Sequence, residues 1–255
     1  MASIKNFSMA KILWRLIFSF LTSKVSDHFI IILCISFAVI LTGCGRHTSI
    51  LSFGGVEVLA PVPQGFNPVS TVAPPFFAYM NTKESPLSIL IEYYITDKDL
   101  KDVLAGHSKS RGQTLAISTT RVGLFRDYSE NSFQADASEI RNDAARDVAQ
   151  AKIFKSRPAK IVSERLTTGL PSNATPFGVF FDQRDGIGTF ISQEFHTPDG
   201  IVKRIDAGIR IRVRQRSVDL VCSSKVKSEA DSLEIRRICS DWAVSILRAN
   251  ADAQN

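Results

Sequence analysis

The chain has 255 residues, of which 44% are hydrophobic and 22% charged, and its formal net charge is +6. This composition is typical of a globular protein and excludes both a polytopic membrane protein and a disordered chain. The length favours one domain with a targeting segment over two full domains. The excess of positive charge is too small to indicate a nucleic-acid partner.

An apolar stretch near the N-terminus has the proportions of a signal peptide. Phe29–Leu41 reads FIIILCISFAVIL and carries no charge, and the region before it is basic. A helix of this length rises roughly 20 Å, which is short of the ~30 Å hydrocarbon core of a bilayer. The pattern therefore predicts the apolar region of a signal peptide over residues 1–43. The alternative is a slightly short transmembrane helix.

The residues that follow carry a more specific signal. Leu41-Thr42-Gly43-Cys44 resembles the lipobox of bacterial lipoprotein precursors. The resemblance implies cleavage between Gly43 and Cys44 and a lipid on Cys44, which would anchor the chain in the membrane. Gly45 stands where Asp commonly retains such proteins in the inner membrane, so the outer membrane, facing the periplasm, is favoured. Removal of residues 1–43 lowers the net charge from +6 to +3, because four basic side chains and one acidic side chain leave with them.

The first part of the mature chain alternates strand and helix signals. Residues 44–55 are predicted to form a lipidated tether, and residues 56–255 a single periplasmic domain. The run LSILIEYYI predicts a central strand, and short helices are expected after the Pro-Pro pair and before Gly106. The predicted elements are strands Val56–Leu59, Leu87–Ile95 and Gln113–Leu124, a helix within Val72–Asn81, and a helix over Asp97–Leu104.

The rest of the chain predicts a helix, a long loop, a meander and a closing helix. Asp136 with Glu139 is typical of a helix start, as is Ser228 with Asp231. A polar loop is expected over Ser156–Pro176. The meander, with a hairpin turn at Thr197–Gly200, has strands Phe177–Asp182, Gly188–Phe195, Ala207–Val213 and Ser217–Cys222. The closing helix is predicted to lie across the sheet on a face formed by Ile235, Ile238, Cys239, Trp242 and Ile246.

This order of elements predicts the α+β class, with helices packed on an antiparallel sheet as a two-layer sandwich. The order, together with the turn VPQGF at residues 62–66, resembles the PsbP/Mog1-like fold of bacterial lipoproteins and photosystem accessory proteins. The resemblance implies an accessory or binding role without catalysis.

Two cysteines remain in the mature domain besides Cys44. Cys222 and Cys239 are predicted to form a disulfide, because two cysteines in an exported domain most often pair. The bridge would close a loop of roughly 18 residues and contribute on the order of 3 kcal/mol. A metal site or a redox pair is the alternative, but no ligand-spaced partner and no C-x-x-C motif accompanies them.

A run of alternating arginines is the most distinctive local feature. Arg210, Arg212, Arg214 and Arg216 alternate with Ile209, Ile211, Val213 and Gln215. On one strand, a period of two places all four guanidinium groups on one face. Such a strip is a candidate site for phosphates or carboxylates of lipopolysaccharide, of a cell-wall polymer or of an acidic partner. The alternative is a solvated face whose arginines pair with acids such as Glu194 or Asp206.

The sequence contains no recognisable catalytic constellation. Common hydrolase motifs are missing, and no metal or cofactor is expected. The leading hypothesis is a lipid-anchored envelope protein that acts as a binding or accessory module, with the membrane and an envelope protein or anionic polymer as partners. An anion-binding protein that uses the arginines is the second hypothesis. A hydrolase with dispersed residues, including His107 or His196, is the third.

Overall fold

A computed structural model describes residues 47–107, 112–155, 174–197 and 200–251. The predicted signal peptide, the cleavage site at Gly43 and the lipidation site at Cys44 lie outside these residues. Within the described ranges, no helix has both the length and the apolar character needed to span a bilayer.

The described residues form nine strands and five helices. The strands are β1 (Thr48–Phe53), β2 (Val56–Pro61), β3 (Phe66–Pro68), β4 (Ser88–Thr96), β5 (Gln113–Thr120), β6 (Ala174–Gln183), β7 (Gly186–Thr197), β8 (Gly200–Val213) and β9 (Arg216–Lys225). The helices are α1 (Val69–Val72), α2 (Pro74–Asn81), α3 (Asp97–Leu104), α4 (Glu130–Lys155) and α5 (Glu229–Ala249).

Seven of the strands form one antiparallel sheet. Its order is β3-β4-β5-β9-β8-β7-β6, and each neighbouring pair is antiparallel. The predicted meander is the β6-β7-β8-β9 half of this sheet, and β8 is longer than predicted because its pairing with β7 extends to Gly200. The antiparallel sheet with packed helices confirms the predicted α+β class.

The main core lies between this sheet and α5. In β8 every second side chain from Ile205 to Val213 is buried, as expected for a strand with one covered face. Helix α5 places Ile235, Trp242 and Ile246 against that face. The predicted capping box is present, because the Ser228 side chain accepts the Asp231 N–H and the Asp231 carboxylate accepts the Ser228 N–H.

Helices also pack on the opposite face, which adds a partial third layer to the predicted sandwich. Tyr93 and Ile95 of β4 point away from the main core and pack with α1, α2 and α3. At the other end of the sheet, Phe133 and Ala137 of α4 pack on Ile187 of β7. Helix α4 starts before the predicted Asp136, and the Ser129 hydroxyl accepts the Ser132 N–H at this start, 3.1 Å away.

The predicted tether over residues 44–55 is wrong for most of its length. Thr48–Phe53 is strand β1, which pairs with β2 in a separate two-stranded sheet. Leu51 and Phe53 are buried in the main core, so burial of apolar surface holds this segment on the domain. A turn at Gly54 and Gly55 joins the strands, and both glycines have positive φ values, 57° and 88°.

The structure joins Cys222 and Cys239 in a disulfide, with a Cα–Cα distance of 5.8 Å and a sequence separation of 17. Both residues are fully buried. The bridge ties β9 to α5, and both elements contribute buried side chains to the main core. Its position is that of a structural crosslink.

Candidate functional site

The four arginines do not form a strip on one strand face. Arg210 and Arg212 lie on β8, but the chain turns back at Arg214 and Gln215, whose φ values are 47° and 59°. Val213 pairs with Arg216 across this turn, so Arg216 lies on the core face of β9. The prediction that all four arginines share one strand face was wrong, because two residues other than glycine adopt the left-handed conformation of a tight hairpin turn.

Acidic side chains neutralise the two arginines of β8. The Arg210 Nε lies 2.7 Å from an Asp219 carboxylate oxygen, and its Nη1 lies 3.4 Å from Asp136. The Arg212 Nη2 lies 2.6 Å from the Asp185 Oδ1, and both side chains are mostly buried. The Tyr128 hydroxyl also donates to Asp136, and burial, followed by this hydrogen bond, raises the pKa of Tyr128.

The other two arginines are tied to the rest of the fold. The Arg216 Nη1 donates to the Asp127 Oδ1 at 2.6 Å, and the Arg216 Nε donates to the Phe53 carbonyl at 3.2 Å. Arg214 donates to the Glu57 carbonyl at 2.9 Å. We call these four residues and their partners the arginine end. Three of these arginines are paired with aspartates, whereas the buried Nε of Arg214 has no partner among the described residues. The predicted anion-binding strip of four guanidinium groups on one strand face is not present.

Among the described residues, neither His47 nor His107 is hydrogen-bonded to a serine, and of these two only His107 lies near enough to a carboxylate to form an ion pair. His107 follows α3, is exposed, and lies 3.9 Å from Asp102. The backbone of His196 lies in β7. His47 precedes β1. Among the described residues, no group of three or more His, Cys, Asp or Glu side chains is arranged to hold a metal ion.

A cleft of about 750 Å³ opens between β1 and the β3-α1-β4 region, and we call it the β1 cleft. It exists because β3 is short: β3 pairs with Tyr94–Thr96 and leaves the first half of β4 without a neighbour on that side. Strand β1 faces this gap with an edge that does not pair with β2. The apolar residues that line the β1 cleft include Ile50, Leu51, Phe66, Val72, Phe77 and Leu90.

Glu92 of β4 lines the β1 cleft and is 3% exposed. One carboxylate oxygen accepts the Ser70 N–H at 3.0 Å and the Tyr93 N–H at 2.9 Å. The other oxygen accepts the Ser70 hydroxyl. These donors are all neutral, and no Lys, Arg or His within the described ranges forms an ion pair with Glu92.

The negative charge of Glu92 affects the pKa of the neighbouring Tyr94. Burial raises the pKa of Tyr94, and the charge on Glu92 raises it further, while the Ser49 side chain on β1 partly offsets the rise. Among the described residues that line the β1 cleft, His47 is the only one besides Glu92 that can carry a charge, and it forms no ion pair with Glu92. The β1 cleft therefore has a mixed polar and apolar lining, and the carboxylate in its wall has no ion-pair partner among the described residues.

Sequence reasoning missed Glu92, although a signal was present. Glu92 interrupts the apolar run from Leu87 to Ile95, which was predicted as a central strand. A carboxylate inside a buried strand is rare unless it is paired or has a function. The partner Ser70 of α1 could not be predicted, because it lies 22 residues away from Glu92 in the sequence.

The fold and the β1 cleft define an α+β protein with a candidate ligand site. No family model matches the chain, and no curated protein matches it. Among solved structures, it is similar to the Ran-binding protein Mog1p of Saccharomyces cerevisiae, at 10% identity and a TM-score of 0.35, over 80% of this chain and 94% of that chain. A mutant of protein Mog1 matches at the same identity and TM-score, over 79% of this chain and 94% of that chain. At these values the likeness carries no argument about function.

Proposed function

We propose that this protein is a lipid-anchored protein of the cell envelope that acts as a non-enzymatic binding or accessory module. The observation that carries the binding role is the β1 cleft, which combines apolar walls with the buried carboxylate of Glu92. Clefts of this size are typical of small-ligand sites. The anchor is supported by the likeness of residues 41–44 to a lipobox.

The chemistry of the described residues favours binding over catalysis. Polar groups that resemble catalytic residues are engaged in the fold: Asp136 holds Tyr128 and Arg210, and Asp219 holds Arg210. His107 lies outside the β1 cleft, and His47, which lines it, forms no ion pair with Glu92. The hydrolase hypothesis therefore has less support than the binding hypothesis.

The anchor is tested by the mass of the protein isolated from membranes. We expect a mass that corresponds to a chain starting at Cys44 and carrying acyl groups. Cys44→Ala should abolish acylation and remove the protein from its normal membrane fraction. Cys34→Ala is the matched control, because it changes the other N-terminal cysteine and should leave processing unchanged. An uncleaved wild-type chain without lipid would contradict the proposal.

The binding role is tested by blocking the β1 cleft. Thr71 lines the β1 cleft and is exposed, so Thr71→Trp should fill the space without disturbing the core. Ser138→Trp on the exposed surface of α4 is the control. In native mass spectra of protein purified from membranes, wild type and the control should retain a small molecule that Thr71→Trp lacks. Equal masses of bound material in all three proteins would contradict the role of the β1 cleft.

A further inference from the structure

We propose that the ligand of the β1 cleft is an organic cation with an apolar body, such as an alkylammonium group, and that Glu92 is its counter-charge. This inference rests on the proposed function, because it assigns a ligand class to the same site.

The first argument is the cost of burying a charge. An ionised carboxylate that leaves water loses much of its hydration, and hydrogen bonds from neutral groups compensate only part of this loss. Glu92 has such neutral donors from Ser70 and Tyr93 but forms no ion pair within the described part of the chain. A cation in the β1 cleft would supply the missing charge.

The second argument is acceptor capacity. Each oxygen of an ionised carboxylate can accept two hydrogen bonds. The oxygen that faces the Ser70 and Tyr93 N–H groups has two donors, whereas the oxygen that faces the Ser70 hydroxyl has one from the described residues. The second oxygen can therefore accept one more bond, and an ammonium group is a donor without acceptors, so it suits this position.

The third argument is the lining of the β1 cleft. Phe66 and Phe77 provide aromatic surface, which attracts cations as well as apolar groups. Ile50 is 65% exposed and would be covered by the apolar part of a ligand. A ligand with both a cationic head and an apolar body would use both kinds of surface.

The simpler role of Glu92 is to hold the start of α1, where Pro68 provides no side-chain cap. That role needs a hydrogen-bond acceptor but does not need a negative charge. Replacing Glu92 with glutamine keeps an acceptor and removes the charge, so the two roles can be separated by experiment.

The test measures binding of three probes by calorimetry at pH 7: n-hexylamine, n-hexanol and hexanoate. These share a six-carbon body and are positive, neutral and negative at this pH. We expect hexylamine to bind at least about tenfold more tightly than hexanol, and hexanoate to bind more weakly than both. Glu92→Gln should reduce hexylamine affinity by about tenfold or more and leave hexanol affinity nearly unchanged.

A second pair of variants guards against misfolding of Glu92→Gln. Thr71 is exposed at the β1 cleft, so Thr71→Lys and Thr71→Glu change the local charge without touching the core. We expect hexylamine affinity to fall by about threefold in the first and to rise by a similar factor in the second, because surface charges are screened. Ser138→Lys on α4, at the other edge of the sheet, should have no effect.

The outcomes separate this inference from the proposed function. If the three probes bind equally and the Thr71 variants do not change their order, the β1 cleft binds ligands but the cation assignment is wrong. Failure of hexylamine to bind to folded wild-type protein also overturns the assignment. Membrane anchoring through Cys44 and retention of a small molecule are measured independently of either result.

Discussion

The arginine end and the β1 cleft differ in how their buried charges are compensated. At the arginine end, Arg210, Arg212 and Arg216 each lie against an aspartate at 2.6–2.7 Å. In the β1 cleft, Glu92 is almost completely buried and has only neutral donors among the described residues. The more conspicuous pattern in the sequence is thus a structural network, whereas a single glutamate in an apolar strand marks the better candidate site. In this protein a dense run of charges marks a structural network, so local charge density alone does not identify the candidate site.

The largest expected effect is at the arginine end. Arg216→Met keeps the aliphatic bulk but leaves the Phe53 carbonyl and Asp127 without their donor. We expect the free energy of unfolding to fall by about 2 kcal/mol, mainly from the buried carbonyl, because Asp127 is exposed and its charge is screened. Urea unfolding measures this loss. Arg216→Lys keeps the charge and should lose less, and an unchanged Arg216→Met protein would show that the network is not structural.

The next effect concerns the β1 cleft. Ser70→Ala removes a hydroxyl that donates to Glu92 and should lower the free energy of unfolding by about 1.5 kcal/mol, because hydrogen bonds to charged groups are strong. The measurement is again urea unfolding. Ser138→Ala on α4 is the control and should change stability by less than about 0.5 kcal/mol. Equal stability of both variants would mean that Glu92 does not depend on this donor.

A double-mutant cycle compares a buried pair of the arginine end with an exposed pair. Arg212 and Asp185 are 15% and 16% exposed, whereas Arg237 and Asp241 on α5 are 67% and 68% exposed. Replacing each residue with alanine singly and together should give a coupling energy of about 1 kcal/mol for the first pair. The second pair should give about 0.4 kcal/mol. Similar coupling energies would show that the Arg212–Asp185 pair stabilises the fold no more than the exposed Arg237–Asp241 pair.

The smallest expected effect is the pH dependence of stability at Asp231, an exposed carboxylate that accepts hydrogen bonds from neutral backbone groups. The backbone N–H groups of Lys227 and Ser228 lower the pKa of Asp231 below its usual value. A lowered folded-state pKa stabilises the fold above the unfolded-state pKa, and this contribution is lost as pH falls through the folded-state pKa. The stability advantage over Asp231→Asn should therefore be present at neutral pH and disappear in strong acid. Thermal unfolding from about pH 6 to about pH 2 measures it, and an advantage that grows on acidification would contradict the assignment.

Local signals predicted much of the fold. The bounds of α3, Asp97–Leu104, and the capping box at Ser228 agree with the structure, because both depend on side chains within one helical turn. The break between the predicted strands at Val213 and Ser217 agrees with the turn, but the left-handed conformation of Arg214 and Gln215 was missed, since neither residue type normally signals it. Strand β1 was missed although Gly54-Gly55 is a strong hairpin signal. The β1 cleft depends on contacts between segments distant in sequence, so periodicity alone could not reveal it.

The separate β1-β2 hairpin also has a consequence for motion. Two-stranded sheets are marginally stable alone, and this one is fastened to the domain by side chains: Trp242 donates to the Pro61 carbonyl at 3.0 Å, and Asn250 bonds both backbone groups of Leu59. Local opening of this unit would expose the buried side chains of Leu51, Phe53, Val58 and Ala60, so it is costly, and the closed form is the one that completes the wall of the β1 cleft. A bound ligand therefore favours the closed hairpin by mass action, and occupancy of the β1 cleft would be recorded as slower amide hydrogen exchange along β1.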